Sequence, residues 1–232
     1  MPGRIILLRH GQTYSNISRL LDTRPPGAEL TERGRDQATE VGRELAQLVG
    51  EREVEFKCSI ALRAQQTAML AARAFEQERG MPEFSQRVDV ISGVHEIFAG
   101  DWEMDGSEDA HRSHMVAMRG WCDGERGAGM EGGEILEDVL ARYQPVLEGI
   151  AKQLGDDHDV ILVSHGAAIR VLTKHATGVD ADFAYTGYLA NCRFMVMEPR
   201  GKDFGEWTLT QWADTELYPQ PKRCSSSSSR PK

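Results

Sequence analysis

Arg4–Leu8 reads RIILL and leads directly into Arg9-His10-Gly11. Val160–Val163 reads VILV and leads just as directly into Ser164-His165-Gly166. Short unbroken apolar runs with β-branched residues mark strands buried on both faces, the habit of parallel sheets. Working outward, Val54–Ser59 (VEFKCS) and Val88–Ile91 are two further strand candidates. Helical patterns separate them. Thr31 offers an N-cap to a stretch with Ala38, Val41, Leu45 and Leu48 at helical spacing, and Gly50 offers a stop. Arg63–Glu78 is alanine-rich, with Ala68, Ala71, Ala72 and Phe75 on one face. Ala167–Ala176 follows the VILV strand and ends near Gly178. Strands alternating with helices predict an α/β fold, a three-layer α/β/α sandwich with a mostly parallel central sheet.

The remaining segments modify that frame. Gly100–Gly133 is polar, rich in Gly, Asp and Glu, and weakly periodic through Met115, Met118 and Trp121. It reads as an inserted cap of loops and a helix. Glu134–Leu154 is an amphipathic helix carrying Ile135, Val139, Tyr143, Leu147, Ile150 and Leu154, with Pro145 inside it. Phe194–Met197 and Trp207–Trp212 read as two late strands forming an antiparallel edge. From Pro219 onward the chain runs through five consecutive serines, Ser225 to Ser229. That composition cannot build a core, so residues 219–232 are expected to form a disordered tail after a single domain, 1–218.

Composition excludes several classes. Among 232 residues, 27 Lys and Arg face 36 Asp and Glu, a formal charge of −9. An acidic surface repels nucleic acid and anionic lipid, so neither is an expected partner. No apolar run approaches the roughly 18 residues that span a bilayer. Cys58, Cys122, Cys192 and Cys224 are scattered without a CxxC pair, against both a zinc site and a disulfide framework. The opening residues carry no secretory pattern, so the cytoplasm is the expected compartment. An edge strand leaves a homodimer open.

In an open α/β sheet, ligands bind beyond the carboxyl ends of the strands. The residues found there are Arg9, His10 and Gly11; then Arg63; then His95 and Glu96; then Ser164, His165 and Gly166. Each alone has a plainer reading: a helix start, a solvated arginine, a surface glutamate. Together they put two guanidiniums, imidazoles and one carboxyl group on one edge of an acidic protein. Fixed guanidinium forks suit a dianionic tetrahedral group such as phosphate. A neutral imidazole is a nucleophile toward phosphorus, and a carboxyl group can protonate a leaving alkoxide. The arginines would repel a metal cation, and no metal-ligand spacing occurs, so neither metal nor cofactor is expected. His95, His111, His114, His158 and His175 read as solvent-facing or structural, and the four tryptophans as packing.

These residues resemble the histidine phosphatase superfamily, the phosphoglycerate-mutase-like proteins, and its actinobacterial members in particular. Arg9-His10-Gly11-Gln12-Thr13 with Asn16 is similar to the family's RHG signature. Leu30-Thr31-Glu32-Arg33-Gly34 with Gln37-Ala38 is similar to its LTExGxxQA entry, and Ser59 with Arg63-Ala64 and Thr67-Ala68 to SxxxRAxxTA. Glu96 with Gly100-Asp101-Trp102-Glu103, Gly132-Gly133-Glu134 and Ser164-His165-Gly166 resemble the later motifs, in family order. The resemblance implies that His10 is the nucleophile and becomes phosphohistidine. It also implies that Arg9, Arg63, His165, Asn16 and the Gly166 amide hold the phosphoryl group, and that Glu96 is the proton donor. Met104 and Glu131 depart from the family's glycine and proline. The long basic insertion that mutases carry after this glutamate is not evident. The expected function is therefore a metal-independent phosphomonoesterase for a small phosphorylated metabolite. A phosphoglycerate mutase with the same phosphoenzyme is the alternative, and a phosphate-binding module without turnover is the non-enzymatic one.

Overall fold

The computed structural model describes residues 1–217. The last residue of the expected 1–218 domain, the 219–232 tail and Cys224 lie outside the described residues. In chain order, β1 (Arg4–Arg9), α1 (Tyr14–Ile17) and α2 (Glu32–Val49) precede β2 (Glu53–Ser59), α3 (Leu62–Glu78) and β3 (Val88–Ile91). A 3-10 turn at Gly100–Trp102 leads to α4 (Glu108–Asp123) and α5 (Leu136–Gln153). Next come β4 (His158–Ser164), α6 (Gly166–Thr177) and α7 (Ala181–Thr186), and then β5 (Phe194–Glu198), β6 (Thr208–Trp212) and β7 (Thr215–Glu216). The strands form one sheet in the order β3-β2-β4-β1-β5-β6-β7. The first four are parallel, and β5, β6 and β7 continue antiparallel beyond β1.

The apolar runs read from the sequence are the two central strands. Side chains alternate across a strand, so each run must fill two cores. Ile5, Leu7, Val160 and Leu162 enter the core covered by α4, α5 and α6. Ile6, Leu8, Ile161 and Val163 enter the core covered by α2 and α3. This is the three-layer sandwich expected. Thr31 caps α2 by accepting the Gly34 N–H, and Gly50 ends it at a φ of 58°. α5 runs unbroken through Pro145. The short elements α1, α7 and β7 carry too few residues to show a periodicity, and the sequence did not signal them.

Within the expected cap, α4 is capped by Ser107 and stopped by Gly124 in the left-handed region. Its buried face differs from the one read in sequence. Ala117, Met118, Trp121 and Cys122 face the core, while Met115 and Val116 are exposed. His114 lies one turn ahead of Met118 on the inward face. Trp121, Trp207 and Trp212 are buried, as expected of packing residues. No helix among the described residues is long and apolar enough to cross a membrane.

At the amino ends of β1 and β4, away from His10 and His165, a charge cluster ties the sheet together. The Asp159 carboxylate is fully buried and accepts Arg4 Nε at 3.0 Å and Arg52 Nε at 2.9 Å. Arg52 Nη2 also donates to Pro2 O at 2.7 Å. Replacing Asp159 by Ala strands two inward-facing guanidiniums, and removing one member of such a cluster typically costs about 3–5 kcal/mol. The expected outcome is a loss of that size in urea unfolding. A loss below about 1 kcal/mol would show that the arginines relax outward.

Candidate active site

Parallel pairing aligns Arg9 with Ser164, and the His10 N–H donates to Ser164 O at 3.1 Å, one residue past the strand. The two histidines that follow are therefore brought side by side, with ring centroids 5.3 Å apart. His10 opens on a cavity of about 200 Å³, with Arg9, Arg63, Glu96, Asn16 and Gly166 also in its walls. His165 is fully buried and lies beneath this wall.

The state of His10 follows from its surroundings. Its Nδ1 is 2.8 Å from Gly11 O, and a carbonyl can only accept, so Nδ1 carries the hydrogen. Burial, and then the charges of Arg63 and Arg9, push the ring pKa well below its usual value. The ring is thus neutral, with the Nε2 lone pair free. The same forces hold His165 neutral: burial first, then Arg63. His165 Nε2 meets Ser59 Oγ at 2.9 Å, and Ser59 Oγ accepts the Ala61 N–H. Ser59 can thus donate to Nε2, and in that tautomer the His165 hydrogen sits on Nδ1. Three buried nitrogens here have no hydrogen-bond partner: Arg9 Nε, Arg63 Nη1 and His165 Nδ1.

The His10 loop is held by the motif residues around it. The Gly11 N–H donates to Thr67 Oγ1 at 3.0 Å, and Gln12 N donates to Gln37 Oε1 at 3.0 Å. A side chain on Gly11 would stand 2.4 Å from Gly34 O, so the loop can touch the start of α2 only as glycine. Asn16 Oδ1 accepts Thr13 N and Asn191 Nδ2, which leaves its own amino group to donate. Arg9 Nη1 donates to Leu189 O at 2.6 Å, and Arg63 Nη2 to Asp22 O at 3.0 Å.

Glu96 is positioned from the other side of the sheet. Its carboxylate accepts Ala167 N at 3.2 Å and Ala168 N at 2.9 Å, at the start of α6. The Ala167 and Ala168 amides are thus taken by a side chain, and Gly166, whose amide was expected to hold the phosphoryl group, lines the cavity wall beside Ala167. The loop carrying Glu96 is clamped by Arg142, which donates to Gly93 O at 2.7 Å, His95 O at 3.0 Å and Glu96 O at 3.1 Å. Glu134 holds Arg142 through both carboxylate oxygens, at 2.6 and 2.9 Å. Glu103 joins the cap to the 22–24 loop by accepting Thr23 N at 2.7 Å and Arg24 N at 2.9 Å.

His95 stands away from the cavity and stacks on Phe98, with ring centroids 4.7 Å apart. His114, read as solvent-facing or structural, lines the cavity because α4 turns its buried face toward it. The spacing His114–Met118–Trp121 was the available signal. Arg170, Tyr188 and Leu189 also line the cavity without a sequence signal. Among the described residues, no group of three or more His, Cys, Asp or Glu is arranged to hold a metal ion.

Comparison with known proteins agrees with this geometry. The sequence profile of the histidine phosphatase superfamily (branch 1) matches residues 5–215. A glucosyl-3-phosphoglycerate phosphatase of Mycolicibacterium vanbaalenii is 28% identical over 228 residues, covering 90% of this chain and 93% of that protein. An adenosylcobalamin/alpha-ribazole phosphatase of Escherichia coli is 28% identical over 182 residues, covering 77% of this chain and 81% of that protein. In fold, the chain is similar to the solved structure of mycobacterial hydrolase 1. The TM-score is 0.71 at 24% identity, over 92% of this chain and 99% of that one.

Replacing Arg142 by Gln should free the Glu96 loop and lower stability by about 3 kcal/mol. Chemical denaturation measures that loss, and an unchanged midpoint would remove the clamp. A second expectation concerns pH. His10, His95, His114, His165 and His175 all have ring pKa values lowered chiefly by burial. Below about pH 6.5 the unfolded chain binds more protons than the fold does. Stability is therefore complete above that pH and is lost as pH falls toward the folded values. In phosphate-free buffer, Tm should be flat from pH 7 to 8 and fall between pH 6.5 and 5. A Tm as high at pH 5 as at pH 7 would contradict the neutral rings.

Proposed function

Because the chain belongs to the histidine phosphatase superfamily (branch 1), we propose that it is a metal-independent phosphomonoesterase acting on a small phosphorylated metabolite. The observation that carries this reading is a neutral His10 with a free Nε2, beside buried Arg and His nitrogens that lack partners. A phosphate dianion supplies the acceptors those nitrogens lack. The similar proteins named as phosphatases support hydrolysis as the outcome.

In the first step, His10 Nε2 attacks phosphorus and the P–O bond to the alcohol breaks. Glu96 delivers a proton to the departing oxygen, giving a neutral alcohol and a phosphohistidine. In the second step, Glu96 takes a proton from water, whose oxygen attacks phosphorus. The P–N bond breaks, its electron pair returns to Nε2, and phosphate leaves. Arg9, Arg63, the Asn16 amino group and the Gly166 amide hold the equatorial oxygens. His165 Nδ1 supplies a further donor from below. Positioning and charge stabilisation dominate such transfers, and each donor contributes on the order of 10²–10³ in rate.

Hydrolysis is favoured over a mutase by the segment after Glu96. Residues 97–111 contain no Lys or Arg, so the segment offers no cationic side chain to retain a phosphoglycerate between half-reactions. The short acidic cap, 100–133, is read as the part that governs selectivity.

The test is phosphate release from a panel of phosphate esters, with mutase turnover assayed in parallel and EDTA present throughout. His10→Ala should lower kcat by about 10⁴ or more, and near-normal turnover would refute the nucleophile. Glu96→Gln should slow alkyl phosphates by about 10²–10⁴ and p-nitrophenyl phosphate far less, since its phenolate leaves without a proton. Equal losses on both would remove Glu96 from proton transfer. Mutase turnover with negligible release would replace the hydrolytic reading.

A further inference from the structure

Asp22 is a carboxylate in the cavity wall that the phosphoryl chemistry does not use. It opens the stretch Asp22-Thr23-Arg24-Pro25-Pro26-Gly27-Ala28, in the connection between α1 and α2. That stretch wraps the guanidinium of Arg63. Arg63 Nη2 donates to Asp22 O, and the Leu62 N–H donates to Pro26 O at 2.9 Å. A side chain on Gly27 would stand 2.1 Å from Arg63 Nη1, and the φ of 67° there also favours glycine.

The Asp22 carboxylate is fixed through one of its oxygens. Its Oδ2 accepts Ser15 Oγ and Ala28 N, both at 2.8 Å. Its Oδ1 faces Arg63 Nη1 across 3.7 Å. That gap exceeds an N–H···O hydrogen bond, which spans about 2.7–3.2 Å. Nη1 therefore keeps its hydrogens for another acceptor, and it is one of the buried nitrogens without a partner. The charge of the carboxylate still acts across the gap, because Coulomb energy falls only with the first power of distance. The two side chains are 3% and 7% exposed, so solvent ions screen the pair little. Burial lowers the Arg63 pKa, and Asp22 is the strongest of the carboxylates that oppose the shift. A phosphoryl oxygen accepting from Nη1 would lie within about 7 Å of Oδ1. One guanidinium would then stand between two anions, one of them built into the protein.

We propose that Asp22 is a built-in counter-charge to Arg63 that weakens the hold of the site on phosphate and so speeds release of the product. This rests on the phosphatase reading, in which phosphate must leave after every turnover. Arg9 and Arg63 with no opposing charge would bind the product dianion tightly. Binding that is equally strong for ester and product adds nothing to the chemical step. Oδ1 stops short of a hydrogen bond, so Asp22 moderates the charge of Arg63 without occupying the donor that the phosphoryl group needs.

Calorimetry with inorganic phosphate at about pH 8, where the dianion dominates, tests the counter-charge without turnover. In Asp22→Asn the phosphate Kd should fall about tenfold or more. Phosphate should inhibit ester hydrolysis at correspondingly lower concentration, and most of the gain should appear as slower dissociation. An Asn amide oxygen can accept from both Ser15 and Ala28, which keeps the loop in place. Asp22→Ser, equally neutral, gives the same reading if the Asn protein does not fold. Ser15→Ala removes a bond to the same carboxylate but no charge, and should leave Kd within about twofold. Neutral variants that bind phosphate no more tightly than the unaltered protein would overturn the counter-charge and leave the phosphatase reading standing, since a carboxylate that only positions Arg63 strengthens the site. A gain in Ser15→Ala equal to that in Asp22→Asn would overturn it as well, because loop freedom and not charge would then set the affinity. Absence of phosphate binding to the unaltered protein at millimolar concentration would overturn the phosphate site and the counter-charge together.

Discussion

The register of one strand pair sets the chemistry of the molecule. Because Arg9 pairs with Ser164, the backbone turns upward from β1 and β4 at the same level. The two imidazoles then stand together, His165 fully buried and His10 nearly so at the foot of the cavity. Everything electrostatic about the site follows from that burial. A ring exposed to water at the same distance from Arg63 would titrate near its ordinary value. Here, loss of solvent is the leading cause of its neutrality, and the guanidiniums reinforce it. The arginines thus have two effects on one neighbourhood. They offer an anion its counter-charge, and they help hold the His10 ring neutral.

Around that pair, most of the motif residues act as supports. Thr67 and Gln37 hold the backbone of Gly11 and Gln12. Glu134 never reaches the cavity wall. It fixes Arg142, which fixes three carbonyls of the loop that presents Glu96. Glu103 fastens the cap to the loop before α2. Each of these is a charged or polar side chain bonded to backbone, a bond that sets position more rigidly than packing does. A phosphoryl transfer gains most of its rate from position, so recurring residues far from phosphorus are physically reasonable.

The sheet and its long helices were legible because burial on two faces leaves an apolar run, and one buried helix face leaves a period. The residues at strand ends were legible for the same reason: a parallel sheet gathers them on one edge. Arg142 and Asn191 were not, since the bonds that tie them to the Glu96 and His10 loops go to backbone carbonyls, which have no sequence identity. His114 was misread because Met115 was counted with Met118 and Trp121, although Met115 is exposed and His114 shares the inward face with them. Arg170 was hidden inside a helix whose other residues read simply as core.

The clamp on Glu96 and the braces on His10 hang from different layers. Thr67 and Gln37 belong to α3 and α2, on one face of the sheet, whereas Arg142 and the amides receiving Glu96 belong to α5 and α6, on the other. The two hydrophobic cores share only the strands between them. Substitutions within the α4–α5–α6 layer can therefore shift the Glu96 loop while the Thr67 and Gln37 braces on the His10 loop stay as they are. A fold divided in this way lets two walls of one cavity drift independently.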